Sequence, residues 1–465
     1  MNVIDGLPDE LLAEIFEHYT YVSESTLDDF DATGLQHLKL LLTVTSTSSR
    51  WRNIAVGTSK LWTWIVIAAY HFERGVDIGR SIIQTFLMRS GTRAICLLLS
   101  PPLDTEDTHE SFMQVYELVI PHLPRCEGFC FHRVGLVISS LIFPLPGPMP
   151  RLDILVLLGD TAAFFNSHTS MTVFNEPSSL TALRDVMIIG FPMAPIPGNP
   201  IDDLSIGLEN IPDMWTMPFI ASSTKITTLS LLSANVLGKA PPSPVTLPNL
   251  KILDHSYNTV APFFDAPLLE ELHWSLASLD ISPTDGDVYF PLLRTLYISV
   301  AQPYNHEQPL RTKLEFPQLA ELVLEYAAEP STALRVLLLP HTLGHQINAL
   351  EGTKSVALPY PALQIIVIKR TNQDDLAAWR SALVLVLESY PNVRLGYDPH
   401  KTFPVDDREF WGHIRETFGH RVYESLSYVE LFCNPKGGKT QSMVPHLYKG
   451  ARERDNPWKT VIYKI

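Results

Sequence analysis

The chain has 465 residues, 46% of them apolar and only 18% charged, which excludes wholesale disorder and as a soft prior suggests two or three domains. A net charge of -15 makes nucleic acid an unfavourable partner for the body of the molecule, and four cysteines are too few for a secreted disulfide scaffold. Proline is enriched at 37 residues, and its placement carries information.

The N-terminal stretch Met-Asn-Val-Ile-Asp lacks the basic start and apolar run of a signal peptide. Leu61 to Tyr70, the longest apolar stretch, is far shorter than the ~20 residues of a membrane span, so a soluble cytoplasmic or nuclear protein is expected, with no membrane and no nucleic-acid partner. Leu7-Pro8-Asp9-Glu10 reads as a helix start, with proline suited to the first turn and acids to the positive end of the dipole. Leu11, Leu12, Ile15, Phe16 and Tyr19 follow at helical spacing and are read as one face. Residues 20–38 hold four acids and no Lys or Arg, which predicts a solvated loop. Leu38, Leu41, Leu42 and Val44 suggest a second helix, and Thr45 to Ser49 offer N-caps for a third carrying Trp51, Ile54 and Ala55. Three short helices bury little surface alone, and a partner would complete them.

The residues Leu7-Pro8-Asp9-Glu10-Leu11-Leu12-Ala13-Glu14-Ile15-Phe16, then Val44, Ser49-Arg50-Trp51-Arg52-Asn53-Ile54-Ala55 and Leu61-Trp62 resemble an F-box. The trailing Ser59-Lys60-Leu61-Trp62 resembles the ending common in F-box proteins of mushroom-forming fungi, and the acidic insert between the first and second helices is longer than in a minimal F-box. The resemblance implies a trihelical unit over 1–70 that docks on a Skp-type adaptor and, through it, a cullin-based ubiquitin ligase. Adaptor contact carried over from the family falls on Leu7, Pro8, Leu11, Leu12, Ile15, Phe16, Val44 and Trp51. Packing of a local helical subdomain would use the same side chains.

From residue 71 to 395 a phrase recurs. Pro248-Asn-Leu250-Lys-Ile-Leu253, Pro267-Leu-Leu269-Glu-Glu-Leu272, Pro291-Leu-Leu293-Arg-Thr-Leu296, Pro317-Gln-Leu319-Ala-Glu-Leu322 and Pro361-Ala-Leu363-Gln-Ile-Ile366 are successive copies. Weaker ones stand at Pro150 to Leu155, Leu183 to Val186 and Ile226 to Leu229, with guesses at Ile95 to Leu99 and Phe129 to Phe131. The prolines are spaced by 19, 24, 26 and 44, the last read as two repeats with a hidden copy near Leu334 to Leu337. These periods match leucine-rich repeats. The expected fold is therefore α/β: a trihelical F-box followed by an irregular solenoid of parallel strands with helix or loop returns, each proline at a strand entrance. Asp374 to Leu387 reads as a helix and Pro391 to Leu395 as a final strand, together capping the solenoid.

The outward position of each copy is Ser230, Asp254, His273, Tyr297, Val323 or Val367, with Glu271, Glu321, Glu325 and Lys369 two residues to either side. Acids, an imidazole and an aromatic in one row suit recognition of a protein substrate, for which Asp254, Glu271, His273, Tyr297, Glu321, Glu325 and Lys369 are the candidates. An ordinary solvated strand face is the alternative. Residues 396–433 have no clear pattern, and 434–465 form a basic tail with seven Lys or Arg against two acids. Gly437-Gly438-Lys439-Thr440 imitates the end of a phosphate loop, but Cys433 stands where its first glycine is needed. Cys126-x-x-x-Cys130-x-His132 lacks a fourth metal ligand, and His341-x-x-x-His345 lacks the glutamate of a zinc protease. No metal, cofactor or catalytic residue is expected. The expectation is a substrate-recognition subunit of a ubiquitin ligase, monomeric apart from the adaptor complex; the alternative is a repeat scaffold without ligase role.

Overall fold

A computed structural model describes residues 6–20, 30–68, 75–101, 106–134, 136–159, 171–191, 194, 196, 201–207, 220–231, 244–255, 264–276, 288–300, 314–327, 360–368, 384, 387–388, 390, 392–397 and 422–424. The chain divides into two compact units, Met1–Ser223 with Ser442–Ile465, and Thr224–Gln441.

The first unit opens with α1 (Asp9–Thr20), α2 (Phe30–Thr47), α3 (Ser49–Gly57) and a 3-10 turn at Ser59–Trp62. Helix α2 begins eight residues before the end of the acidic stretch, so Phe30 to Leu38 is helical and not loop. Ser48 caps α3, its hydroxyl accepting from Trp51 N–H at 3.1 Å. Parallel strands β1 (Trp64–Ala68), β2 (Ile95–Ser100), β3 (Cys126–Val134), β4 (Ile154–Gly159), β5 (Asp185–Ile189) and β6 (Asp203–Gly207) pair in that order. Helices α4 (Val76–Ser90), α5 (Glu106–Tyr116) and α6 (Leu136–Ile142) lie in the connections. One sheet face, including Leu97, Leu99, Phe129, Phe131, Leu155 and Leu157, is fully buried. It continues into an aromatic chain from Phe131 to Phe143 at 5.3 Å and Phe143 to Phe191 at 5.4 Å.

The second unit contains β7 (Thr228–Leu231), β8 (Val245–Thr246), β9 (Ile252–His255), β10 (Phe264–Asp265), β11 (Glu271–Leu276), β12 (Val288–Tyr289), β13 (Thr295–Val300), β14 (Leu314–Glu315), β15 (Glu321–Ala327), β16 (Ile365–Ile368), β17 (Arg394–Tyr397) and β18 (Val422–Glu424). Strands β7, β9, β11, β13, β15, β16, β17 and β18 form consecutive parallel pairs, with β8–β10 and β12–β14 as short side ladders. Leu229, Leu253, Leu272, Leu296, Leu322, Ile366 and Leu395 lie opposite one another and are all buried. This is the stacked-leucine core of a solenoid-like α/β repeat fold, continuous along the stacking axis.

Three expectations change. Strands β15 and β16 pair directly, Glu321 opposite Ile365, and Gln364 N–H donates to Ala320 C=O at 2.8 Å, so no further strand stands between these two, and Leu334 to Leu337 lie outside the described residues. Equal division of a long spacing assumes a uniform period, which irregular repeats do not keep. Strand β17 is not the last, because β18 pairs beyond it. The prolines stand one turn before the strands and not at their first residue. The carbonyls of Leu247, Ala266, Phe290, Phe316 and Tyr360 accept from the N–H of the leucine three residues on, placing Pro248, Pro267, Pro291, Pro317 and Pro361 second in a four-residue turn. Proline's fixed φ suits that position. The residue before each proline is buried, and Phe290, Phe316 and Tyr360 stack in succession at 6.2 and 6.0 Å. Most of the helix expected at 374–387, the tail 434–465, Lys369 and the His341/His345 pair lie outside the described residues.

Candidate functional site

The five apolar residues of α1 do not form one face. Leu12 and Phe16 are buried at 1% exposure, together with Leu41 and Val44 of α2, whereas Leu11, Ile15 and Tyr19 are 46–50% exposed. At 100° per residue the two sets are neighbouring edges of the same helix, one turned to the helical core and one to solvent. Three of the eight residues expected to touch an adaptor, Leu12, Phe16 and Val44, thus build the core that supports the surface. Pro8, Leu11 and Ile15 are exposed, and Leu7 and Trp51 are half-buried. Trp51 packs its ring against Phe16 at 4.9 Å, linking α3 to α1. Exposed Leu42 on α2 and Val56 on α3 add apolar surface that the motif did not single out. Their signal in the sequence is an apolar residue out of phase with the buried ones.

Polar ties hold the three helices in place. The Arg50 guanidinium donates to Asp9 Oδ1 through Nε at 3.0 Å and Nη2 at 2.6 Å, and Nη2 also reaches Leu7 C=O. Lys60 pairs with Glu17 at 2.7 Å. Both pairs are largely solvated and contribute about 0–1 kcal/mol each, so they orient more than they stabilise. Trp62 donates from Nε1 to Ala55 C=O at 2.8 Å, meets Phe86 edge-on at 5.1 Å and lies beneath the Arg89 guanidinium at 4.3 Å. His37 is buried against Trp64 and Phe86, with Nδ1 2.9 Å from Thr20 C=O. Desolvation in this site holds its pKa below the usual 6.5. These contacts join the trihelical unit to β1 and α4.

In the second unit the register places Ser230, Asp254, His273, Tyr297, Val323 and Val367 opposite one another in a single row. Ser230, His273, Val323 and Val367 are buried, while Asp254 and Tyr297 are half-exposed. His273 stacks on Tyr297 with ring centroids 4.0 Å apart and planes at 13°, and its Nε2 lies 2.6 Å from Glu271 Oε1. Glu271, Thr295 and Glu321 form the adjacent row. The structure therefore gathers Asp254, Glu271, His273, Tyr297 and Glu321 on one sheet face. Glu325 falls at a bulge, since Leu324 faces Ile298 and Tyr326 faces Ser299, so its backbone leaves the row expected for it. Lys369 lies outside the described residues.

Cys126 and Cys130 are buried, and desolvation raises both thiols, Cys126 to about 12, which makes them poor metal ligands and poor nucleophiles. Among the described residues no cluster of His, Cys, Asp or Glu could hold a metal ion, and no helix is long and apolar enough to cross a membrane.

No curated protein matches the chain. A family model described as F-box-like matches residues 4–68, a span that takes in the three helices, the turn carrying Trp62 and the first strand. The unit whose Leu11–Ile15–Tyr19 edge faces solvent is therefore an F-box-like domain at the N-terminal end of the chain.

Proposed function

We propose that the chain is a substrate-recognition subunit of a cullin-based ubiquitin ligase. Its F-box-like domain supports a ligase-adaptor role through a Skp-type protein. Such a subunit works by proximity, holding a substrate near a charged ubiquitin carrier, and performs no covalent step itself. The observation that carries this reading is the solvated apolar edge of α1, Leu11, Ile15 and Tyr19, held on a buried core of Leu12, Phe16 and Val44. Three large apolar side chains at about half exposure on one helix edge are a surface built for covering. The row from Asp254 to Tyr297 supports a protein substrate, because a stacked imidazole and phenol beside carboxylates offers an aromatic anchor with a polar rim.

Co-purification with a Skp-type adaptor tests it. Leu11→Ala/Ile15→Ala is expected to weaken the complex by more than tenfold, at roughly 2 kcal/mol per true anchor, with the melting temperature unchanged. A wild-type chain that stays folded and does not bind the adaptor would overturn the reading. If adaptor binds and cullin never accompanies it, the repeats serve a scaffold and not a ligase.

A further inference from the structure

One buried ring ties together several elements of the first unit and leaves a nitrogen without a partner. His37 of α2 is only 6% exposed. Its Nδ1 lies 2.9 Å from the carbonyl of Thr20, the last residue of α1. The ring packs on Trp64 of β1 at 5.0 Å and on Phe86 of α4 at 6.4 Å. A carbonyl only accepts, so Nδ1 carries the proton and Nε2 of the neutral ring is a bare acceptor. Nε2 is buried, and among the described residues it has no hydrogen-bond partner. Phenylalanine would fill an aromatic site without an orphan nitrogen, and a buried polar group left unsatisfied asks for a reason.

We propose that His37 is an acid-sensitive latch, whose protonation opens the joint of the trihelical unit with β1 and α4 while the rest of the sheet stays folded. A proton on Nε2 makes the ring a cation inside an aromatic enclosure. The Leu61 carbonyl would accept the new N–H, and the carbonyl end of α1 also favours positive charge. Desolvation outweighs both and holds the pKa below 6.5. The side chains on the surrounding turns that carry charge between pH 5 and 8 are Lys39 on α2, Glu17 and His18 on α1, Lys60 on the 3-10 turn and Arg89 on α4, whereas β1 has none. Glu17, the one anion of this set, is paired with Lys60 at 2.7 Å, and Arg89 lies over Trp62. An opened ring is hydrated and returns to its ordinary value, so the opened form binds more protons and gains population as pH falls. Opening withdraws the hydrogen bond that fixes the end of α1 and the ring contacts that hold β1 and α4. Helix α1 also carries Leu11, Ile15 and Tyr19, so the latch ties the setting of that edge to pH, a consequence that rests on the adaptor reading.

Amide hydrogen exchange of the full chain, corrected for the intrinsic effect of pH, tests the latch. Between pH 7.5 and 5 the opening of residues 17–20 and 61–66 is expected to rise at least tenfold, while Ile154–Gly159 of β4 stays unchanged. In the full-length His37→Phe variant the rise is expected to disappear. No rise in the unmodified chain, or a rise that persists in the variant, would overturn the proposal. Equal acceleration in β4 would overturn it as well, since acid would then unfold the unit as a whole. Exchange at the imidazole C2 carbon of the unmodified chain decides the matter where the variant misfolds. A His37 midpoint below 6.5 is expected, and one at or above 6.5 sinks the latch. These readouts need no adaptor, so a chain that binds none at any pH loses the ligase reading and keeps the latch.

Discussion

The strands of the two units share a register logic and differ in what they place on the second face. In the first unit the row runs Val66, Leu98, Cys130, Val156, Met187 and Ser205, and all six are buried. In the second it runs Ser230, Asp254, His273, Tyr297, Val323 and Val367, polar at four positions and half-open at Asp254 and Tyr297. Parallel sheets are ordinarily covered on both sides and read as continuous apolar runs. The first unit obeys that rule. The second breaks it in this row and in the adjacent Glu271–Thr295–Glu321 row, which is the face the proposed substrate reading would use. The lesson is that the leucine phrase specifies the core and leaves the other face free, so the residue between the last two leucines decides whether that face is buried or open.

The largest effect comes from forcing the first row to resemble the second. Leu98→Asp puts an unpaired carboxylate at a site with no exposure and is expected to cost 3–5 kcal/mol, whereas Asp254→Ala, at a half-open site, is expected to stay within about 1 kcal/mol. Urea unfolding followed by circular dichroism reads both. A milder version asks whether the two faces of β2 are equally core: Leu98→Ala and Leu97→Ala are each expected to lose 2–5 kcal/mol, because both side chains are fully buried. A Leu98→Ala cost under 1 kcal/mol would mean the second face is loosely covered, and the contrast between the units would shrink.

The sequence made parts of this legible and hid others for identifiable reasons. Proline and leucine mark β9, β11, β13, β15 and β16, because a turn that needs a fixed φ and a buried leucine recruits the same two residues each time. Strand β6, Asp-Leu-Ser-Ile-Gly, lacks that phrase and left no mark. The stack of Phe290, Phe316 and Tyr360 was visible as an aromatic before each proline, yet its role needs the turn geometry to be seen. In the F-box-like domain, periodicity put Leu11 and Leu12 on one face; which of two adjacent residues turns inward depends on where α2 and α3 pack, and spacing along one helix does not contain that. The bulge at Glu325 is similar: counting by two predicts its row until one inserted residue shifts it.

Each unit also buries a histidine, and acid separates their surroundings. His37 is enclosed by Trp64 and Phe86, with its pKa lowered chiefly by desolvation, whereas His273 lies beside the Glu271 carboxylate. A folded-state pKa below the unfolded value means the unfolded chain binds more protons, so stability falls as pH drops. His37 therefore contributes stability that is full above 6.5 and is lost as pH falls through its lower folded value. His37→Phe is expected to flatten that slope for the first unit, measured as unfolding free energy between pH 7.5 and 5. An unchanged slope would place the acid sensitivity elsewhere.

The smallest effect belongs to the open row itself. Tyr297 is half-buried, and its ring stacks on His273 with centroids 4.0 Å apart. Tyr297→Ala is expected to cost about 0.5–1.5 kcal/mol for the aromatic pair, beyond the area it buries. If the row exists to read a substrate, the same change should reduce substrate capture far more than it lowers stability, since an aromatic anchor at a recognition surface is worth more to the partner than to the fold. Tyr297→Phe keeps the ring and separates the two contributions. Retained stability with lost capture would assign the phenol oxygen to the partner, whereas loss of both only in Tyr297→Ala would assign the stack to the repeat. A Tyr297→Ala chain with unaltered capture would return this row to an ordinary strand face, and the difference between the two units would then be one of burial alone.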